Sequence, residues 1–170
     1  DHRDLHSFPT RRSSDLKNIF VDSRGFFVEN FKEQNFSEKF IQDNLSFSSN
    51  KGTVRGMHFQ TGKSSQTKLV TVLKGKIIDV VMNMETFDVF SFELCSQKLD
   101  SLLVPNNYAH GFMTLEDNTL VSYKVDNYYS KDSEGSINWR DKIFEGFWPK
   151  FDEYFLSEKD ESAPFLENAK

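Results

Sequence analysis

At 170 residues the chain fits one domain with room for a full hydrophobic core. Its formal net charge of −5 has the wrong sign for a general nucleic-acid binder, and its single cysteine, Cys95, excludes an internal disulfide. No apolar run approaches the roughly 18 residues that a membrane-spanning helix needs.

The amino-terminal segment stands apart. Residues 1–6 have no apolar period, and Ser7-Phe8-Pro9-Thr10-Arg11-Arg12-Ser13-Ser14-Asp15-Leu16 resembles a translated sequencing-library adapter. It lacks the apolar stretch and small-residue cleavage site of a secretory signal. The expectation is a non-native, disordered extension over 1–16 that replaces the natural start, followed by a single domain over 17–170. Setting it aside leaves two histidines, His58 and His110, and three arginines, Arg24, Arg55 and Arg140. Their scarcity makes their positions informative.

From residue 17 onward, short β runs alternate with turn signals. Strands are predicted over 19–21, 26–31, 45–48, 53–59, 69–73, 77–82, 90–94, 101–104, 111–115 and 119–125. Lys74-Gly75-Lys76 reads as a glycine turn between two of them, and Glu116-Asp117-Asn118 as a hairpin connection. Helix signal is confined to 35–41 and 157–163. Residues 138–155 read as irregular, aromatic-rich packing. Regular short strands without long helices predict an all-β sandwich or barrel and argue against a doubly wound α/β fold.

Arg24-Gly25 and Arg55-Gly56 each set a guanidinium beside a glycine near a strand edge, which suits close approach to an anionic ligand. Each alone would read as a turn beside a surface ion pair. Strand alternation over 54–60 puts Arg55 and Met57 on one face and His58 and Gln60 on the other, where the last two could line a cavity. His110 follows the turn residues Pro105-Asn106-Asn107, an arrangement that resembles the second motif of the cupins. Metal-binding cupins present His-x-His and a glutamate in their first motif. Here His58-Phe59-Gln60 lacks the second imidazole, and no glutamate occurs over 61–73, a poor donor set for a divalent ion.

A histidine near neutral pKa can abstract a proton if a carboxylate orients it, a cation stabilises the anion and an acid returns a proton. Asp160, Lys68 and Tyr123 are candidates for those three tasks. Each also has a structural reading: Asp160 in a helix-capping box with Ser157, Lys68 as a solvated edge charge, Tyr123 as an amphipathic barrel residue.

Residues 17–160 resemble the dTDP-4-dehydrorhamnose 3,5-epimerases. The resemblance is carried in order by residues 22–31, Gln42-Asp43-Asn44, residues 48–60 and Lys68-Leu69-Val70. It continues in Gly75-Lys76-Ile77-Ile78-Asp79-Val80, Ala109-His110-Gly111-Phe112, Tyr123-Lys124, Asn127-Tyr128-Tyr129 and 156–160. It implies a cupin-type jelly roll and a cytoplasmic isomerase of dTDP-L-rhamnose synthesis that uses neither metal nor organic cofactor. Its substrate would be a dTDP-4-keto-6-deoxyhexose inverted at C3 and C5. His58 would be the base oriented by Asp160, Lys68 would stabilise the enolate at C4, and Tyr123 would protonate the opposite face. Arg24, Glu29, Gln42, Asn44, Arg55 and Lys159 would contact the nucleotide diphosphate or sugar, and His110 and Tyr129 would line the pocket. The resemblance also implies a homodimer, which the altered front end is expected to weaken. Thr67 before Lys68 and the segment 83–90 depart from the family's usual sequence.

Three other readings bear on function. A related epimerase could act at one centre or on another nucleotide sugar. A silent cupin could bind the same ligand, but would have no use for an acid opposite a base. A metal-dependent oxygenase would require the ligands that the first motif lacks.

Overall fold

The computed structural model describes residues 17–168 and the backbone of residues 11–12. In chain order the strands are β1 (Arg11–Arg12), β2 (Ile19–Asp22), β3 (Gly25–Val28), β4 (Gln42–Ser48), β5 (Val54–Gln60) and β6 (Lys68–Lys74). They continue as β7 (Lys76–Asn83), β8 (Val89–Cys95), β9 (Ser101–Val104), β10 (Tyr108–Thr114), β11 (Thr119–Val125) and β12 (Glu134–Ser136). Two antiparallel five-stranded sheets result, ordered β1-β9-β6-β11-β4 and β12-β5-β10-β7-β8, with β2 and β3 forming a separate hairpin. From β4 to β7 and from β8 to β12, each strand lies in the other sheet from its predecessor. This is the jelly-roll winding expected from the sequence.

The faces of the two sheets explain the residue pattern. Val70, Val72, Ile77, Val81, Leu102 and Val121 interdigitate between them. The outer face of the second sheet is covered in turn by the aromatic segment after β12. Met57, Val80 and Met82 pack with Ile137 and Phe144, and Val54 and Met113 pack with Trp139. With both faces covered, β10 is buried at every position and does not alternate. The expected irregular packing over 138–155 is that cover. The edge strand β4 of the first sheet, open on one face, keeps its alternation.

Two expectations are corrected, and a third is borne out in a different setting. The glycine turn at Lys74-Gly75-Lys76 is present but closes no hairpin: β6 pairs with β9 and β11, whereas β7 pairs with β8 and β10. Gly75 is where the chain crosses between sheets, at φ +83°, and a Cβ there would lie 2.4 Å from Thr119 Oγ1. Residues 116–118 likewise carry the chain from β10 in one sheet to β11 in the other. The helix expected over 35–41 is absent, replaced by a single 3₁₀ turn at Glu33–Asn35. Phe31, Phe36 and Phe40 instead form a ring cluster with centroids 5.5–5.8 Å apart. The Ile41 N–H donates to Val125 O, so the sheet takes a donor that the helix would have used. So short a segment could not repay helix nucleation by itself.

The second helix signal is met by α1 (Glu158–Glu161), capped by Ser157, whose Oγ accepts from the Asp160 N–H at 3.1 Å. Of the expected extension 1–16, residues 11–12 pair with Leu102 and Leu103 of β9; the rest lies outside the described residues. Among the described residues no helix is long and apolar enough to cross a membrane.

Candidate active site

Four strands, two from each sheet, bring the predicted groups together. His58 on β5 and His110 on β10 come from one sheet, and Lys68 on β6 and Tyr123 on β11 from the other. Close backbone approach makes this possible. A Cβ on Gly56 would lie 2.6 Å from Gly111 Cα and 2.7 Å from His110 O, so β5 and β10 can meet only if that position has no side chain.

At the same place the ladder carries a bulge. His110 pairs with His58 and Phe112 with Arg55, so three steps along β5 oppose two along β10. This overturns the simple alternation read from the sequence. Arg55 joins His58 in facing the cavity, while Met57 and Val54 turn to the outer core.

The cavity between the sheets has two lobes, of about 230 and 240 Å³. His58, Lys68 and Tyr123 line both, and so stand where the lobes meet. One lobe is completed by Gln42, Asn44, Gln60, Tyr129 and Glu134. The other is completed by Ser46, Arg55, His110, Lys159 and Asp160 over an apolar floor of Val70 and Phe112. Arg24 and Glu29 lie outside both lobes. Arg24 is bound to Asp22 in the β2–β3 turn, and Glu29 to Lys32. A wider cleft of about 660 Å³, walled by Trp139, Trp148 and Tyr154, contains none of the predicted residues.

Each histidine is tied to a buried carboxylate. Asp160 Oδ1 lies 2.5 Å from His58 Nε2, and Asp79 Oδ2 lies 2.8 Å from His110 Nε2. The Asp160 backbone N–H uses the Ser157 cap while its side chain reaches His58, so the capping-box reading does not account for the carboxylate. Burial would raise the Asp160 pKa, but the hydrogen bond and charge of His58, with a contact from the Gly56 N–H, outweigh it and hold the carboxyl below its usual range. An ionised carboxylate only accepts, so Nε2 of His58 carries the ring proton and, in the neutral ring, Nδ1 is left as the free acceptor.

The other two groups are poised accordingly. Desolvation lowers Lys68 to about 8, against the opposing charges of Asp79 and Glu134, so it remains largely an ammonium at neutral pH. The surface that Lys68 retains belongs to the cavity. Burial raises the Tyr123 phenol, with Arg55 opposing, so the phenol keeps its proton. A base and an acid from facing sheets, with a cation lining the same space, can move protons on and off a carbon beside a carbonyl.

Around them, Arg55 is fixed by donation to Phe47 O at 2.8 Å and Ser48 Oγ at 3.3 Å. Gln60 Oε1 accepts from the Ser130 N–H, steadying the loop that carries Tyr129. Gln42 donates to Asn44 Oδ1 at 2.8 Å. Glu134, which the sequence reading did not single out, accepts from Tyr129 OH at 2.9 Å and binds Lys159. Asp79 was quoted only within a matching segment, yet it is fully buried behind His110. Strand alternation extended back to β4 would have placed Ser46 beside Asn44. Nothing in the local pattern marks Glu134. Among the described residues no three His, Cys, Asp or Glu side chains converge to hold a metal ion.

Comparison with known proteins accords with this geometry. The sequence model of the dTDP-4-dehydrorhamnose 3,5-epimerase family matches residues 16–168. The dTDP-4-dehydrorhamnose 3,5-epimerase of Salmonella typhimurium is 40% identical over 162 residues, which cover 89% of this chain and 88% of that protein. The crystal structure of the Bacillus anthracis enzyme, with TDP and pyrophosphate bound, superposes with a TM-score of 0.84 at 38% identity, covering 88% of this chain and 91% of the other. The Legionella pneumophila dTDP-6-deoxy-D-glucose-3,5-epimerase, in complex with dTDP-4-keto-L-rhamnose, gives 0.83 at 33% identity over 91% and 87% of the two chains. By sequence and by fold, this chain belongs to the dTDP-4-dehydrorhamnose 3,5-epimerase family of isomerases.

Proposed function

We infer that the protein inverts C3 and C5 of dTDP-4-dehydro-6-deoxyglucose, the epimerisation step of dTDP-L-rhamnose synthesis, in the cytoplasm. The observation that carries this reading is the meeting of His58, Lys68 and Tyr123 at the junction of the two lobes. Both carbons flank the C4 carbonyl, so removing a proton from either gives an enolate. His58, oriented by Asp160, takes the proton from one face. Lys68 holds the developing oxyanion at C4. Tyr123 delivers a proton to the opposite face, and the cycle repeats at the second carbon. Gln42, Asn44, Arg55, Gln60, His110, Tyr129 and Lys159 hold the sugar nucleotide, with Arg55 and Lys159 supplying positive charge for the diphosphate.

The same reading includes a homodimer. Phe20, Val21, Phe26 and Phe27 on the β2–β3 hairpin are 60–77% exposed, and so are Leu45 (68%) and Phe47 (53%) on β4, an edge strand of the first sheet. Apolar surface of this kind at a sheet edge suits a second copy. That packing would also give Arg24 and Glu29 a route to a ligand in the partner. Light scattering across a concentration series tests it, and a monomer throughout would refute it.

Incubation with the 4-keto sugar nucleotide in deuterium oxide tests the chemistry. Deuterium at both C3 and C5 is expected. Deuterium at one carbon would make the protein a single-centre epimerase, and deuterium at neither would end the epimerase reading.

A further inference from the structure

Lys17 lies just before the β2–β3 hairpin and Asn30 just after it. The Lys17 ammonium donates to Asn30 Oδ1 at 3.0 Å, to Leu99 O at 2.8 Å and to Ser101 Oγ at 2.8 Å. Its three protons are all used. The first bond closes the base of the hairpin, and the other two tie that base to the start of β9. Ser101 Oγ in turn lies 2.6 Å from Thr71 Oγ1 on β6, and both residues are buried. The anchor therefore reaches into the first sheet.

Beyond that base the hairpin has little to hold it. Among the described residues β2 and β3 pair only with each other, and every residue of the two strands except Val28 is exposed. A lone two-stranded hairpin is marginally stable in water. Both of its faces are apolar: Phe20 lies opposite Phe27 on one, and Val21 opposite Phe26 on the other.

We propose that Lys17 is a positioning residue for self-association, pinning the β2–β3 arm to the first sheet in the pose that its apolar side chains need to meet a second copy of this chain. The proposal rests on the homodimer reading for its partner, but the pin itself is a property of one chain. Burial lowers the Lys17 pKa to about 8, with the charge of Asp100 opposing. Glu29, beside Asn30, is taken by Lys32. When the arm lifts, the ammonium returns to water, where a lysine titrates near 10.4. Between those values the lifted state binds more protons, so rising pH favours the pinned state.

The test is limited trypsin cleavage after Arg24, which is exposed in the turn of the arm, on wild type, Lys17→Met and Asn30→Ala. Sedimentation equilibrium follows the dimer, and amide exchange of β7 and β10 follows the core. Cleavage in Lys17→Met should rise about tenfold, the effect of losing hydrogen bonds to a charged donor. Asn30→Ala, which removes one acceptor, should rise less. Core exchange should not change, and the Lys17→Met dimer should be weaker. Wild-type cleavage, divided by that of Lys17→Met to remove the protease's own pH response, should fall several-fold from about pH 7 to about 9.5. This last comparison reports on Lys17 without requiring the variant to match wild-type stability. Unchanged cleavage in both variants, core exchange that accelerates as much as cleavage, or a ratio flat with pH would each overturn the pin. A freed arm with a dimer of wild-type strength would overturn the proposal alone. Wild-type protein that stays monomeric at every concentration would instead remove the homodimer reading, and the interface role of Lys17 with it.

Discussion

Asp160 Oδ1 lies 2.5 Å from His58 Nε2, joining a four-residue helix near the carboxyl end of the chain to the middle of β5. The contact selects a tautomer, because an ionised carboxylate can only accept and therefore keeps the ring proton on Nε2. In Asp160→Asn the amide can offer an N–H to Nε2 instead, which places the ring proton on Nδ1 and removes the base from the cavity. The expected result is a fall in kcat of roughly 10²–10⁴-fold with KM little changed. Steady-state kinetics on folded variant protein would check it. Unchanged kcat would leave Asp160 with a packing role only.

Tyr123 is assigned the return of the proton, and that task can be separated from its removal. In Tyr123→Phe the base remains, so His58 can still take a proton, exchange it with solvent and return it to the same face. Deuterium should therefore enter the sugar with the starting configuration retained, while inversion slows by roughly 10²-fold or more. NMR of the recovered sugar reads both quantities in one sample. Inversion at the wild-type rate would move the acid role to another residue.

Individual strands were legible in the sequence because turn residues punctuate the chain, as at β9 and β11. Their partners were not legible. Residues 69–73 and 77–82 around Gly75 look like the arms of a hairpin, yet they lie in opposite sheets, and nothing local to the turn distinguishes these outcomes. The facing of Arg55 was misread for a related reason: one bulge at residues 56–57 reverses alternation, and it exists only because β10 lies alongside. The proposed base, acid, cation and orienter were singled out through the family's ordered motifs rather than through strand pattern. Glu134 and Ser46 went unnoticed because a polar residue on a strand acquires meaning only from what the opposite sheet places before it.

The lysine at the junction predicts an alkaline limit. Lys68 has a folded pKa of about 8, so kcat/KM should fall as pH rises through that value and the cation is lost. Asp79 raises the Lys68 pKa through its charge. Asp79→Asn should therefore shift the limb to lower pH, whereas Lys68→Met should remove it along with most activity. Stability should move the opposite way. The unfolded lysine titrates near 10.4, so between about 8 and that value the unfolded chain binds the extra proton, and this group adds stability as pH rises. Chemical denaturation of wild type and Lys68→Met across that window would reveal the difference. A limb that stays in place in Asp79→Asn would separate the two groups.

The last prediction concerns the approach of β5 to β10, on which every distance in the site depends. In Gly56→Ala the new methyl would meet Gly111 Cα at 2.6 Å and His110 O at 2.7 Å, at a backbone φ of +116° that alanine rarely adopts. Both obstructions are backbone and cannot rotate away, so the strands must separate. A loss of roughly 2–4 kcal/mol in stability is expected from the combined strain and overpacking. The separation would also spread His58 and Arg55 from His110, because the bulge that turns Arg55 inward is built on this contact. Folded Gly56→Ala protein should therefore show reduced kcat beyond what its lowered Tm explains. Wild-type kcat in a destabilised variant would mean that the site tolerates a looser pairing than its geometry implies.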